Sequence, residues 1–168
     1  NSVLWQPCTA ASVTTNPISQ TVTYGAASVS FTAAAGGNPS PTVQWQVNTG
    51  SGFTNIGGAT STTLTINTPT VAMSGNQYRA VFTNTCGGTQ TATTTAATLT
   101  VNKAHLTVTA DNKSRAYGAS DPAFTSVISG FVNGENLGTS GVTGTASCTT
   151  TAISSSPPMK PQTAPFSF

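Results

Sequence analysis

Apolar and polar positions alternate with a period of two along most of this chain. Val29, Phe31 and Ala33 alternate with Ser30 and Thr32, and Val43, Trp45 and Val47 with Gln44 and Gln46. Leu64 and Ile66 alternate with Thr63, Thr65 and Asn67, and Tyr78, Ala80 and Phe82 with Arg79, Val81 and Thr83. Successive side chains of a strand point to opposite faces, so this period predicts half-buried β-strands. Gly36-Gly37-Asn38-Pro39 breaks the first run, and Gly50-Ser51-Gly52 and Gly57-Gly58 read as turns. Gly87-Gly88 turns the chain into one long final strand ending at Leu99-Thr100-Val101. Short strands at this spacing predict a sandwich or barrel. No segment carries a helical period with caps. Residues 1–11, with Pro7 and Cys8, read as a lead, and the sandwich spans 12–102.

A second unit is predicted over 103–156. Ala104, Leu106, Val108 and Ala110 alternate with His105, Thr107 and Thr109. Residues 157–168 form a Pro-rich tail in which Pro157, Pro158, Pro161 and Pro165 forbid ordinary central strands. At roughly 50–60 residues the second unit is near the lower limit for an independent core. The expected fold class is therefore all-β: a sandwich plus a small, incomplete β module. A truncated module exposes strand edges and an apolar face.

Composition sharpens this picture. Only 5% of the residues are charged and the formal net charge is +2. Thr makes up about a fifth of the chain and suits the outer faces of strands. Trp5, Trp45, three Tyr and seven Phe set the chain apart from disordered sequences, which are poor in aromatics. There is no Lys/Arg cluster for nucleic acid or an anionic membrane, and no apolar run long enough to span a bilayer. Little charge repulsion opposes self-association. No signal peptide is read at the start.

Three signals in order resemble one family. The stretch Ser28 to Trp45 resembles strands B and C of an I-set immunoglobulin domain. There a Cys precedes the core Trp by twelve residues, and Ala33 holds that place before Trp45. Gly75-Asn76-Gln77-Tyr78-Arg79-Ala80 resembles the strand-F signature, with one extra residue before the Tyr. Tyr78 matches the corner Tyr, and Ala80 stands where the second Cys belongs. The resemblance covers residues 12–102 and implies an immunoglobulin-like sandwich with Trp45, Tyr78, Ala33 and Ala80 in its core. The second unit resembles the Tyr-Gly-x repeat modules of bacterial surface proteins, through Tyr117-Gly118-Ala119 and Gly130-Phe131-Val132-Asn133-Gly134-Glu135. Such modules occur in tandem behind immunoglobulin-like ones.

The resemblance also bears on the cysteines, which are odd in number: Cys8, Cys86 and Cys148. In a sandwich of this topology, the segment before the first strand and the loop between strands F and G lie at one end. It thus implies a Cys8–Cys86 bridge pinning the lead, in an oxidising compartment. The alternative is two free, buried thiols.

Candidate chemistry is sparse. His105 is the sole histidine, and Asp111, Asp121 and Glu135 are the only acids. They provide neither a nucleophile–base–acid set nor a four-ligand zinc centre, so no catalytic residue, metal or cofactor is expected. Asp111-Asn112 and Asp121-Pro122 read as turns rather than calcium ligands. Asn112-Lys113-Ser114 fits a glycosylation sequon, or a bare turn in a bacterial protein. Thr93-Thr94-Thr95 and Thr149-Thr150-Thr151 are ordinary outer-face strand residues before they are an ice- or glycan-facing array.

These features point to a non-enzymatic extracellular or cell-surface module, such as a stalk, adhesin segment or fibre subunit. Its partners would be further copies of itself or neighbouring modules of a longer surface protein. Val3, Leu4 and Trp5 at one end, and Phe166 and Phe168 at the other, are candidate assembly contacts for strand complementation. The competing reading is a carbohydrate- or ligand-binding module, for which Trp5 and Phe53 are the candidate aromatics. A third is an accessory domain of an enzyme.

Overall fold

The computed structural model describes residues 7–150 and residue 153. The chain divides into two compact units, Asn1–Lys103 and Ala104–Phe168.

Among the described residues of the first unit, ten strands and one 3-10 turn follow in order. They are β1 (Thr9–Thr15), β2 (Gln20–Thr23), β3 (Ser28–Thr32), β4 (Ala34–Asn38), β5 (Thr42–Asn48), β6 (Phe53–Asn55), β7 (Thr63–Asn67), the turn Val71–Met73, β8 (Gln77–Thr85), β9 (Thr89–Thr93) and β10 (Ala97–Asn102). One layer is built on the run β3 and β4, interrupted at Ala33: β3 pairs antiparallel with β7, and β4 with β1. The other has the order β2-β10-β8-β5-β6, with β9 also on β8. Within it β2 runs parallel to β10, and the remaining pairs are antiparallel. This is the immunoglobulin-like sandwich expected from the sequence.

The alternation supplies the core. Val29 and Phe31 of β3, Val43 and Trp45 of β5, Leu64 of β7, Tyr78, Ala80 and Phe82 of β8, and Ala97, Leu99 and Val101 of β10 are buried together with Ala33. Their polar neighbours face out, where Ser30 and Thr65 share a hydroxyl hydrogen bond of 3.1 Å across the β3–β7 pair.

Three features depart from the sequence expectation. First, β1 begins at Thr9, within the segment read as a lead. Second, Gly36-Gly37-Asn38 does not break the strand; β4 runs through it because β1 supplies its ladder partners. Gly37 is required there, since a Cβ would lie 2.8 Å from Asn84 Nδ2 and 3.3 Å from the Ala10 carbonyl, at φ +152°. Third, the long final strand is two strands. Val81 faces Thr93 and Tyr78 faces Ala97, so three steps along β8 match four along its partner. That extra residue is a β-bulge. It turns Thr94 inward, 5% exposed, where its Oγ1 accepts the Ala80 amide at 2.9 Å and its own amide donates to the Ala80 carbonyl at 3.0 Å. Past the bulge the inward set shifts from even to odd positions, which lets both Thr94 and Ala97 be buried.

The second unit contains an antiparallel pair, β11 (Thr107–Ala110) and β12 (Ser126–Ser129). Gly130, at φ +97°, ends it where a Cβ would lie 2.6 Å from the His105 carbonyl. Among the described residues, none of the buried core belongs to this unit. Leu106, Val108, Ile128, Phe131 and Val132 are half-buried, while other large apolar side chains are exposed: Tyr117 by 73%, Val127 by 57% and Ile153 by 64%, with Phe124, Leu137 and Val142 less so.

Candidate functional site

At one end of the sandwich, several weak elements are tied into one joint. Cys8 and Cys86 form a disulfide with 5.4 Å between their Cα atoms. Cys8 immediately precedes β1, and Cys86 lies in the turn between β8 and β9. Beside the bridge, Asn84 is 5% exposed and spends its amide on three backbone partners. Its Oδ1 accepts the Ala11 amide at 3.2 Å, and its Nδ2 donates to the Thr9 carbonyl at 2.8 Å and the Pro39 carbonyl at 2.9 Å. Asn38 Nδ2 adds a bond to the Pro7 carbonyl at 2.9 Å, next to the cis Asn38–Pro39 peptide. The joint therefore connects β1, the loop after β4 and the β8–β9 turn.

In the centre of the sandwich, Trp45 and Ala80 are register partners on β5 and β8, and both are fully buried with Ala33. The Trp45 indole N–H donates to the Ser61 carbonyl at 2.8 Å, so burial leaves no orphaned donor. Tyr78 stacks on Phe31 with ring centroids 4.9 Å apart.

The outer face of β6, β5 and β8 carries a polar network. Arg79 lies over the Phe53 ring, 3.9 Å from its centroid, a cation–π contact. Its Nε donates to Gln46 Oε1 at 2.8 Å, and Gln46 Nε2 donates to Asn55 Oδ1 at 2.9 Å. One row along, Asn48 Oδ1 accepts the amides of Gly50 and Gly52 at 2.8 and 3.0 Å, and Asn48 Nδ2 reaches Gln77 Oε1 at 3.4 Å. Phe53, a candidate exposed aromatic on sequence grounds, is half-buried beneath the guanidinium.

The remaining candidates are dispersed in the second unit. Asp121 is bound by Arg115 Nε at 2.6 Å. Asp111 accepts the Thr125 hydroxyl and His105 is exposed. Cys148 is a free, half-buried thiol. Among the described residues no three His, Cys, Asp or Glu side chains come together as a metal site. No helix among them is long and apolar enough to cross a membrane. Val3, Leu4, Trp5, Phe166, Phe168 and the 157–168 tail lie outside the described residues.

Sequence reasoning missed the Asn84 joint and the Arg79 network. Asn84 falls on the inward parity of β8, which was a readable signal of a buried amide. Arg79 had a plainer one: it is the sole charged side chain among residues 1–102.

Comparison with known proteins agrees with this architecture. Residues 10–103 match the family described as Domain of unknown function (DUF8696), and residues 106–158 match the MBG domain (YGX type). A relative in Cellulomonas fimi, Endoglucanase C, is 46% identical over 101 residues, which are 60% of this chain and 9% of that protein. The chain thus spans a small fraction of that relative. Among solved structures, Sidekick-1 immunoglobulin domains 1–4 superimpose with a TM-score of 0.50 at 18% identity, covering 63% of this chain and 27% of that one. The Ig1-2 module of the Drosophila receptor protein tyrosine phosphatase DLAR gives 0.46 at 23% identity, covering 56% and 50%. The Sidekick-1 likeness carries the fold alone.

Proposed function

Because the chain belongs to the DUF8696 family through residues 10–103, an immunoglobulin-like domain followed by an MBG module, we propose that it is a non-enzymatic structural module of a larger extracellular assembly. In this reading it is a stalk segment or fibre subunit. In it the sandwich begins with β1 at Thr9 and ends with β10 at Asn102, and a β module follows over 103–156. The observation that carries the reading is the contrast between the two units. The sandwich has a closed core, whereas the described second unit has one two-stranded pair and exposed apolar side chains. A lone hairpin is marginal in water, so that unit gains stability from an added strand. A neighbouring copy, engaging through Val3, Leu4, Trp5, Phe166 or Phe168, would supply it.

An extracellular setting is supported by the disulfide and by the likeness to a region of Endoglucanase C. A non-catalytic role is supported by the dispersion of the acids, one of which is held by Arg115. Light scattering and electron microscopy of the native particle test the assembly. Fibres or large oligomers that vanish on deleting residues 1–7 or 157–168 are expected. A monodisperse particle near 16.8 kDa, or assembly unchanged by both deletions, would refute it.

The second reading, a carbohydrate- or ligand-binding module or an enzyme's accessory domain, draws on that same likeness to part of an endoglucanase. A glycan array without hits would remove its carbohydrate form.

A further inference from the structure

The orientation of every amide in the Arg79 network follows from donors that cannot turn. The Arg79 Nε–H can only donate, so Gln46 presents Oε1 to it and Nε2 to Asn55. Asn55 therefore turns its Oδ1 to Gln46, and its Nδ2 has no hydrogen-bond partner among the described residues. The Gly50 and Gly52 amides can only donate, so Asn48 gives them Oδ1 and turns Nδ2 to Gln77 Oε1. Gln77 Nε2 likewise has no hydrogen-bond partner among the described residues. The Arg79 terminal amino groups take no hydrogen-bond partner among the described residues and are not buried without one. Among the groups the network leaves unengaged are N–H donors around one cation: the Arg79 amino groups, Asn55 Nδ2 and Gln77 Nε2.

The set has a defined layout. Arg79, Gln46 and Asn55 are register partners across β8, β5 and β6, so the row spans two strand spacings, about 10 Å. Gln77 lies two residues along β8 on the same face, roughly 7 Å away. The Phe53 ring and Gln46 hold the guanidinium through its face and its Nε–H and leave its two amino groups unengaged, as bidentate binding of a carboxylate requires. No acidic residue exists among residues 1–102 to neutralise it. None of the exposed large hydrophobics lies on these strands, and the half-buried Phe53 is covered by the guanidinium, so the face offers little of the apolar anchor typical of protein interfaces.

We propose that the outer face of β6, β5 and β8 binds a carboxylate-bearing polysaccharide, a uronic-acid polymer, with Arg79 holding the carboxylate and Asn55 and Gln77 donating to sugar oxygens. This site is independent of whether chains assemble, because its residues are complete within one sandwich.

The test is titration of the 168-residue chain with polygalacturonate, followed by affinity electrophoresis and by the NMR signals of the Arg79 Nε–H and the Asn55 and Gln77 side-chain amides. Binding is expected, with shifts at these three side chains, and at least tenfold weaker binding of the fully methyl-esterified polymer. Arg79→Gln should weaken binding at least tenfold. The NMR shifts in the unsubstituted chain stand even where that variant unfolds. Absence of shifts at these side chains, equal binding of the methyl ester, or full affinity in a folded Arg79→Gln variant overturns the site. Tighter binding of polyglutamate than of polygalacturonate overturns the polysaccharide assignment in favour of an acidic protein.

Discussion

The Cys8–Cys86 bridge joins residues 78 positions apart, nearly the whole span of the sandwich. Closing a loop of that length removes chain entropy from the unfolded state worth about 4.5 kcal/mol at 25 °C. Measured bridges commonly deliver somewhat less, so replacing both cysteines by Ala should lower the unfolding free energy by about 3–4 kcal/mol. Cys148→Ser should be the background, so that no stray thiol exchanges with the bridge. For a domain of roughly 95 residues that loss corresponds to a fall in Tm of about 12–30 °C. The assay is denaturant unfolding, followed by the fluorescence of the buried Trp45. The uncrosslinked unfolded chain is more open, so the m-value should rise as the midpoint falls.

A purely local role for the bridge makes a different forecast. Then only β1 would fray, with the amides of β1 and β4 losing hydrogen-exchange protection while the other strands keep theirs. A double variant within about 0.5 kcal/mol of the parent, at unchanged m-value, would refute the global reasoning.

Asn84→Ala removes three hydrogen bonds at the same joint and orphans the Thr9 and Pro39 carbonyls and the Ala11 amide, an expected loss of about 2–4 kcal/mol in urea unfolding. Combined with the cysteine variant it should be non-additive by at least about 0.5 kcal/mol, because both hold β1. Thr94→Val keeps the shape of the bulge but deprives the Ala80 amide of its side-chain acceptor, costing about 1–2 kcal/mol by the same measurement. Gly37→Ala drives a methyl against Asn84 and the Ala10 carbonyl and should destabilise the sandwich by more than about 1 kcal/mol. Gly130→Ala meets the His105 carbonyl, so calorimetry should show the second unit weakened and the sandwich transition unmoved.

Strand content and the inward residues of β3, β5 and β8 were legible because one face of each is buried and the period of two holds there without interruption. The reading faltered where tertiary pairing overrode local signals. Gly36-Gly37-Asn38 has the composition of a turn, yet β1 gives its backbone a ladder, and packing against Asn84 explains a glycine at 37. The break between β9 and β10 was hidden because Thr occupies positions 93, 94 and 95, and identical side chains carry no phase. A bulge in such a stretch is defined by the cross-strand register, which one sequence does not display. The Arg79 network was hidden for a related reason: Gln46, Asn48, Asn55 and Gln77 look alike as outer-face amides until their partners orient them.

The position of the disulfide follows from the same physics. An immunoglobulin-like sandwich with cysteines at 33 and 80 would close a loop of roughly 47 residues, and the bridge at 8 and 86 closes one of 78. Loop entropy grows only with the logarithm of length, so the two placements differ by about 0.5 kcal/mol in favour of the longer. In the centre nothing else needs tethering: Ala33 and Ala80 are fully buried with Trp45, whose N–H is satisfied by Ser61. At the end the need is real, because the β1–β4 ladder carries two register irregularities and few regular pairs. A cross-link there gives the unfolded-state constraint of a central bridge and also secures the strand least able to hold itself. Asn84 does the same by hydrogen bonds, which is why the two are expected to be energetically coupled.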